Sequence, residues 1–214
     1  MKSRRILLLG ATGLVGSELL SLLLAEDSVE RVTVVARRAS GHSHPKLSEK
    51  IFDLTEMDRH AALFAVDQIF CALGTTIKAA GSQERFRTID HDLPVAAARI
   101  GRMRGATHFL LVSSLGADRN SRAFYTRVKG ETEDDIIALN YPALTIARPS
   151  LLLGPRKERR LGEELAKPFG WLMPKKYRPI EAATVARALT IAAREDRAGV
   201  RVLESSEMNS GTKS

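Results

Sequence analysis

A tyrosine and a lysine four residues apart are the side chains of this sequence best suited to proton transfer. Tyr125 and Lys129 begin an amphipathic pattern, and a spacing of four places both side chains on one face of a helix. An ammonium group there favours the phenolate and can also hold a ribose hydroxyl. Ser113 or Ser114, which follow an apolar run, would polarise a carbonyl group while Tyr125 gives it a proton. These residues predict acid–base catalysis on a carbonyl substrate.

Three glycines at a fixed spacing of three form a second candidate site. They lie in the segment Gly10-Ala11-Thr12-Gly13-Leu14-Val15-Gly16, directly after the first apolar run. Gly10 would permit a tight turn, Gly13 would let the backbone approach a pyrophosphate, and Gly16 would let a helix lie near its strand. The free N–H groups and the positive dipole at the start of that helix would bind the diphosphate. The segment predicts a dinucleotide site.

The end of the second apolar run carries Arg37 and Arg38, where an NAD site usually carries an acidic residue that holds the ribose hydroxyls. A carboxylate would repel a 2′-phosphate, whereas an arginine grips it through charge-assisted hydrogen bonds. We therefore expect NADP(H) as the cofactor, bound mainly by Arg37 with Arg38 as the second contact. The alternative is a solvated pair of loop arginines. Asp53 and Leu54, just after the third run, are placed to flank the adenine.

Short apolar runs alternate with helical patterns along the whole chain. The predicted strands are 6–9, 32–36, 50–52, 68–72, 109–112, 144–147 and 200–203, and the predicted helices are 14–25, 93–104, 126–139 and 184–194. Continuous rather than alternating apolar runs are typical of strands that are covered on both faces. The pattern predicts a single α/β domain with a doubly wound parallel sheet, the Rossmann fold.

Within 214 residues, 1–203 are predicted to form this NAD(P)-binding domain and 204–214 a disordered polar tail. A small substrate-side segment is expected at 150–180, because 155–178 holds eight basic and three acidic residues and several prolines. We expect this stretch to be a mobile lid over a small and possibly anionic substrate. The alternative is an ordinary solvated loop and helix face.

Composition excludes several other classes of protein. A single cysteine, Cys71, excludes an intramolecular disulfide and indicates a reducing compartment, and no histidine has a partner pattern that predicts a metal site. The charged and apolar start resembles a signal peptide, but Glu18 and the spaced glycines oppose that interpretation. We expect a cytoplasmic protein with no membrane partner. A net charge of +8 suits nucleic acid, yet only 5% of residues are aromatic, so that partner is disfavoured.

Taken together, these motifs resemble those of the short-chain dehydrogenase/reductase superfamily in its atypical branch. More narrowly, the chain resembles the Tat-interacting oxidoreductase-like group, which is NAD(P)-binding and related to the NAD-dependent epimerases and dehydratases. Besides the two sites above, the segments that carry the resemblance are 71–76, 113–118, 125–131 and 148–149. The resemblance implies Tyr125 as proton donor and Lys129 as cofactor ligand. It also implies that Leu73, Gly74 and Thr75 run beside the cofactor and that Pro149 lies at its nicotinamide end.

Two functions remain open from the sequence. One is an NADP-dependent oxidoreductase that transfers hydride to a small carbonyl-type substrate. The other is a cofactor-bound regulatory or interaction module with little turnover, a role also associated with the Tat-interacting group. The complete set of Ser114, Tyr125 and Lys129 favours the enzyme.

Overall fold

A parallel sheet of seven strands organises the protein. The computed structural model describes residues 3–153 and 177–210. Its strands are β1 (Arg4–Leu9), β2 (Val29–Ala36), β3 (Leu47–Ile51), β4 (Gln68–Cys71), β5 (His108–Val112), β6 (Ala143–Arg148), β7 (Leu152–Leu153), β8 (Ile180–Glu181) and β9 (Gly199–Glu204). The sheet has the order β3-β2-β1-β4-β5-β6-β9, and every pair is parallel. The predicted Rossmann fold is confirmed, and each predicted strand is present.

Helices cover both faces of the sheet. They are α1 (Leu14–Ala25), α2 (Ile77–Ala80), α3 (Gln83–Arg87), α4 (Leu93–Met103), α5 (Phe124–Ile137), α6 (Ala182–Glu195) and α7 (Ser205–Ser210). A 3₁₀ helix spans Leu54–Phe64, and a π-helical turn, Thr88–Asp92, joins α3 to α4. The four predicted helices are confirmed as α1, α4, α5 and α6. The sequence patterns did not predict α2, α3, the π turn or the 3₁₀ helix.

Strand β1 shows why its apolar run is continuous. Ile6 and Leu8 face a core that contains residues of α1 and α6, whereas Leu7 and Leu9 face a second core on the α4 side. All four side chains are fully buried. Because side chains alternate across a strand, a central strand covered on both faces buries consecutive side chains, and in β1 those from Ile6 to Leu9 are all apolar.

The C-terminal prediction needs a correction. The predicted disordered tail 204–214 begins inside β9, and its next residues form helix α7. Ser205 and Met208 are both buried. Met208 packs into the core on the α1 and α6 side. This burial orders a segment that its polar composition had assigned to a tail. Residues 211–214 lie outside the described residues.

The predicted substrate-side segment lies only in part within the described residues. Its two ends meet, since β7 pairs with β8 and the amide of Ile180 donates to the carbonyl of Leu151 at 3.0 Å. The intervening residues 154–176, which carry most of the predicted lid, lie outside the described residues.

A buried polar network ties the amino-terminal edge of the sheet to the end of α6. Nδ1 of His108 lies 2.8 Å from Oδ1 of Asp196, and its Nε2 lies 2.9 Å from the hydroxyl of Thr145. The side-chain amide of Gln68 donates to the carbonyl of Ala193 at 2.8 Å. These bonds satisfy polar groups on β4 and β5 where the strands begin and hold α6 against the sheet.

The burial of His108 predicts that the protein becomes less stable at acidic pH. Burial lowers the pKa of His108, although Asp196 opposes that effect. The unfolded chain therefore binds a proton more readily than the folded protein does. The stabilisation is complete above the unfolded pKa of about 6.5 and is lost as pH falls through the lower folded value.

As the pH is lowered below about 6.5, we expect the free energy of unfolding to decrease. The decrease should be steeper in the wild type than in His108→Gln. Urea unfolding over a pH series measures both slopes. His42→Gln, which alters an exposed histidine, should keep the wild-type slope. Equal slopes in the wild type and His108→Gln would show that His108 does not contribute.

Candidate functional site

A cleft of about 680 Å³ lies at the carboxyl-terminal edge of the sheet, beside the point where the strand order reverses between β1 and β4. Crevices at this position are where open α/β sheets bind ligands. The cleft is lined by Gly13, Leu14, Val15, Ala72, Leu73, Gly74, Thr75, Thr76, Asp90, Val112, Ser113, Ser114, Leu115, Gly116, Tyr125, Thr126, Lys129, Pro149, Ser150, Leu151, Leu152 and Tyr177. The structure thus brings the predicted glycine turn and the Tyr125–Lys129 pair into one cavity.

The glycine turn is shaped as a dinucleotide cradle. Gly10 adopts φ +84°, and a methyl group there would overlap the carbonyl of Ala72. A methyl group at Gly16 would overlap the carbonyl of Gly10, so α1 can begin against the turn only with glycine at that position. Gly13 is the N-cap of α1 and provides no side-chain cap. The first-turn amides of α1 therefore remain available to an anion in the cleft, which fits the diphosphate of a dinucleotide.

The four residues predicted to contact the 2′-phosphate or the adenine lie outside the cleft lining. Arg37 and Arg38 are exposed after β2. Asp53 is the N-cap of the 3₁₀ helix and accepts hydrogen bonds from the amide and hydroxyl of Thr55 at 2.9 and 2.7 Å. These bonds, with a smaller contribution from Arg37, lower the pKa of Asp53. Leu54 is buried in the core, so both adenine-flanking candidates have a structural role here.

The two candidate serines differ in their surroundings. The hydroxyl of Ser113 is buried and donates to Oε1 of Glu133. That of Ser114 has a long contact, 3.4 Å, with the carbonyl of Leu115 and lies in the cleft. Of the two, Ser114 has the hydroxyl that can turn toward a bound carbonyl group.

Glu133 also fixes helix α5. Both of its carboxylate oxygens lie 3.1 Å from Nε of Arg148 at the end of β6, and the side chain of Glu133 is 2% exposed. Arg148 also contacts Glu204 on β9 at 3.4 Å. This network holds α5 against two strands and thereby positions the tyrosine and lysine that α5 carries.

An acidic residue that the sequence did not single out pairs with the site lysine. Oδ1 of Asp90 lies 2.7 Å from Nζ of Lys129, and the two side chains are 0% and 7% exposed. Oδ2 of Asp90 accepts the amide of Thr75 at 2.9 Å. Burial raises the pKa of Asp90, while Lys129 opposes that effect. Burial alone would lower the pKa of Lys129, but Asp90, together with Tyr125 and Cys71, outweighs burial and the pKa is raised.

Helix α3, which leads into the turn that carries Asp90, packs against the tyrosine. Phe86 on α3 is fully buried, and its ring centroid lies 5.4 Å from that of Tyr125. Phe86 and Asp90 are four residues apart, a spacing that predicts one helical face directed at α5. That spacing was the available signal in the sequence, although the π turn that joins α3 to α4 was not predictable from it.

Comparison with known proteins decides the family. The sequence profile of a family described as NAD(P)H-binding matches residues 10–196, which include the glycine turn, Tyr125 and Lys129. This chain belongs to that NAD(P)H-binding family. It is 33% identical over 196 residues to protein HTATIP2 of Rattus norvegicus, a match that covers 88% of this chain and 81% of the relative. These matches confirm the resemblance drawn from the sequence motifs.

Fungal relatives correct the predicted location. Protein fmp52, mitochondrial, of Aspergillus niger is 35% identical over 205 residues, covering 92% of this chain and 88% of the relative. Protein FMP52 of Candida albicans, 33% identical over 192 residues, is also named mitochondrial and covers 84% of this chain and 83% of the relative. The cytoplasmic prediction rested on the single cysteine and on the features that oppose a signal peptide, and these names contradict it.

Solved structures of this NAD(P)H-binding fold are more distant in sequence. The Bordetella bronchiseptica enzyme WbmH in complex with NAD+ has a TM-score of 0.75 at 15% identity, covering 95% of this chain and 76% of that one. The UDP-N-acetylglucosamine 4-epimerase of Methanobrevibacter ruminantium has a TM-score of 0.73 at 17% identity, covering 95% and 77%. Likeness at this level shows a common Rossmann fold.

Two features are absent from residues 3–153 and 177–210. No helix in these ranges is long and apolar enough to cross a membrane. In the same part of the chain, no group of three or more His, Cys, Asp or Glu residues is placed to hold a metal ion.

Proposed function

We propose that this protein is an NADP(H)-dependent reductase of small carbonyl compounds. The observation that carries the proposal is the meeting of Tyr125, Lys129 and Ser114 in one cleft with the uncapped start of α1. A module that only binds the cofactor needs the glycine turn, but it has no need of a hydroxyl, a phenol and an ammonium group around the same space.

Several residues of the cleft suit the cofactor. The amides at the start of α1 would hold the diphosphate, and Leu73, Gly74 and Thr75 after β4 would lie along the dinucleotide toward Pro149. Arg37 and Arg38 would hold the 2′-phosphate, and Asp53 and Leu54 would flank the adenine. Bound NADPH would supply the hydride that reduces the carbonyl carbon.

The chemistry left to the protein is proton transfer and orientation. Ser114 would donate a hydrogen bond to the carbonyl oxygen, and Tyr125 would transfer its proton to that oxygen as negative charge develops there. Lys129 would hold the nicotinamide ribose through its ammonium group. The Phe86 ring packs against the Tyr125 ring, with the centroids 5.4 Å apart. This packing restricts the phenol before any substrate arrives.

The described part of the substrate side is largely apolar. Leu115, Leu151 and Leu152 line it together with Tyr177, which favours a small carbonyl compound with an apolar body. The basic residues that suggested an anionic substrate lie mostly between 154 and 176, outside the described residues.

Two measurements on the purified protein test the proposal. Equilibrium titration with NADPH and NADH should give tighter binding of NADPH. A screen of small aldehydes and quinones should then give protein-dependent oxidation of NADPH with at least one of them. Tight cofactor binding without oxidation of NADPH by any carbonyl in the screen would contradict the enzyme and favour the regulatory module.

A further inference from the structure

Helix α7 reaches the substrate side of the cleft through a chain of two hydroxyl groups. The hydroxyl of Ser205, the first residue of α7, donates to Oγ of Ser150 at 2.9 Å, and the hydroxyl of Ser150 donates to the carbonyl of Arg178. Ser150 lines the cleft, whereas Ser205 is fully buried and is not among the lining residues. Three segments that are distant in the sequence therefore meet at one hydroxyl group.

The direction of the two hydrogen bonds follows from their last acceptor. A carbonyl oxygen can only accept, so the single proton of the Ser150 hydroxyl goes to Arg178. The bond between the two serines must then use the proton of Ser205. Ser150 consequently has no proton left for a substrate. Since Ser113 donates to Glu133, Ser114 is the serine of the described cleft lining whose proton is available to a carbonyl oxygen.

Apolar packing joins the same segments. Met208 on α7 and Ile180 on β8 are buried in the core on the α1 and α6 side, and Leu152 on β7 packs against that core. Strands β7 and β8 carry the two ends of the substrate-side segment, and the amide of Ile180 donates to the carbonyl of Leu151. Helix α7 therefore shares a core with both of these ends.

The residue before Ser205 makes a second connection to the cleft. Glu204, at the end of β9, is the register partner of Arg148 on β6, and their side chains lie 3.4 Å apart. Arg148 and Ser150 stand on either side of Pro149, which lines the cleft. Two consecutive residues of the C-terminal segment thus hold both neighbours of a cleft residue.

We propose that Ser205 is a positioning residue for the substrate. Through Ser150 it holds the two ends of the substrate-side segment together. Leu151, Leu152 and Tyr177 on these ends line the part of the cleft that would receive the apolar body of the carbonyl compound. The inference rests on the proposed reductase for its purpose, but the restraint itself can be measured without cofactor or substrate.

The contacts of Ser205 also limit what it can affect. The glycine turn, the end of β5 and helix α5 carry the groups proposed to bind the cofactor and transfer the proton, and Ser205 has no hydrogen bond to them among the described residues. Ser205 should therefore influence the affinity for the carbonyl compound rather than the affinity for NADPH or the chemical step.

The first experiment follows single amides of the free protein by hydrogen exchange. Ser205→Ala removes the donor and leaves a small side chain in a buried place, so the fold should be retained. The Ile180 amide should exchange about 2- to 10-fold faster in this variant, because the segment ends lose one hydrogen bond. The Ala72 amide, which donates to the carbonyl of Leu9 at 2.9 Å in the central sheet, should keep its rate.

A control on the same helix completes this experiment. Ser210→Ala alters an exposed hydroxyl that is bonded to carbonyl groups of α7 itself, so it should change neither amide. Equal acceleration of Ile180 and Ala72 in Ser205→Ala would show a general loss of stability and would overturn the proposal. An Ile180 amide that keeps its wild-type rate would also overturn it.

Steady-state kinetics test the consequence for the substrate. For an aldehyde or quinone that the wild type reduces, KM should rise about 2- to 10-fold in Ser205→Ala. The values of kcat and of the NADPH dissociation constant should stay close to the wild type, as expected when only substrate binding is weakened. A lower kcat at unchanged KM would place the effect on the chemical step and contradict the proposed role.

A double-mutant cycle tests the route through Ser150. If Ser205 acts through the Ser150 hydroxyl, adding Ser205→Ala to Ser150→Ala should raise KM no further, because the shared hydrogen bond is already lost. Independent, additive effects of the two substitutions on KM would show that Ser205 acts by another route and would refute the positioning role.

The outcomes for Ser205 and for the proposed reductase can be told apart. If the Ile180 amide exchanges faster in Ser205→Ala but the wild type reduces no carbonyl compound, the restraint on the segment ends is supported and the reductase is contradicted. If the wild type reduces a carbonyl compound, and KM and Ile180 exchange are both unchanged in Ser205→Ala, the reductase stands and the role of Ser205 is wrong.

Discussion

Tyr125→Phe is expected to lower kcat for NADPH-dependent carbonyl reduction by about 10²–10⁴-fold, the usual effect of losing a positioned general acid. The substitution removes the phenolic proton and keeps the aromatic ring that packs 5.4 Å from Phe86. The thermal midpoint and the NADPH dissociation constant should therefore stay close to the wild-type values. Steady-state kinetics, thermal unfolding and cofactor titration measure the three quantities.

Two other variants interpret that result. Tyr141→Phe removes a hydroxyl that donates to the carbonyl of Ala98 at 2.6 Å, and neither residue lines the cleft, so it should cost about 1 kcal/mol of stability and leave kcat unchanged. Lys129→Ala should weaken NADPH binding as well as turnover, because Lys129 would contact the ribose. If Tyr125→Phe turns over a substrate at the wild-type rate, the proposed mechanism is wrong, even if the fold and the cofactor are correct.

The sheet was predictable because its strands are buried on both faces. A central strand such as β1 buries consecutive side chains on both faces, and a run of four consecutive apolar residues is the signature of such burial. The short helices α2 and α3 leave no comparable signal, since each has fewer than two turns. Helix α7 was mispredicted because its one buried apolar anchor, Met208, lies among polar residues.

The sequence predicted only those parts of the site whose residues lie close together along the chain. The glycine turn and the Tyr125–Lys129 pair are each confined to a few residues, so the sequence displays them directly. Asp90 meets Lys129 across 39 positions of the chain, through a π turn that no periodicity marks. The same applies to Glu133, which contacts Ser113 just after β5 and Arg148 at the end of β6 and thereby distinguishes the two candidate serines.

We expect the choice between NADP(H) and NAD(H) to depend on the charge at the end of β2. Arg37 and Arg38 are exposed there, and no acidic residue stands between Ala36 and Ser40. An exposed arginine pays no desolvation cost in the free protein and can close on a 2′-phosphate through two parallel charge-assisted bonds. A carboxylate at the same place would favour the ribose hydroxyls of NAD(H) and repel the phosphate.

Replacing Arg37 and Arg38 together by alanine is therefore expected to weaken NADP(H) binding by about 10- to 100-fold, which corresponds to the loss of a hydrogen bond to a charged group worth about 1.5–3 kcal/mol. NAD(H) affinity should change little, because NAD(H) has no 2′-phosphate for these side chains to hold. Arg37→Asp should go further and reverse the preference. Equilibrium titration of each variant with both reduced dinucleotides gives the four affinities that decide the matter.

The matched control for this pair lies on the opposite edge of the sheet. Arg102→Ala with Arg104→Ala removes the same two positive charges from the exposed end of α4, so it reproduces any effect of net charge on a polyanionic ligand. If the control leaves NADP(H) affinity intact while the Arg37 and Arg38 variant loses it, the contact is local and specific for the 2′-phosphate. Equal losses of NADP(H) affinity in both variants would show that the preference comes from long-range electrostatic attraction. Equal affinity of the wild type for the two dinucleotides would contradict the cofactor assignment, and the arginines would then be an ordinary solvated pair.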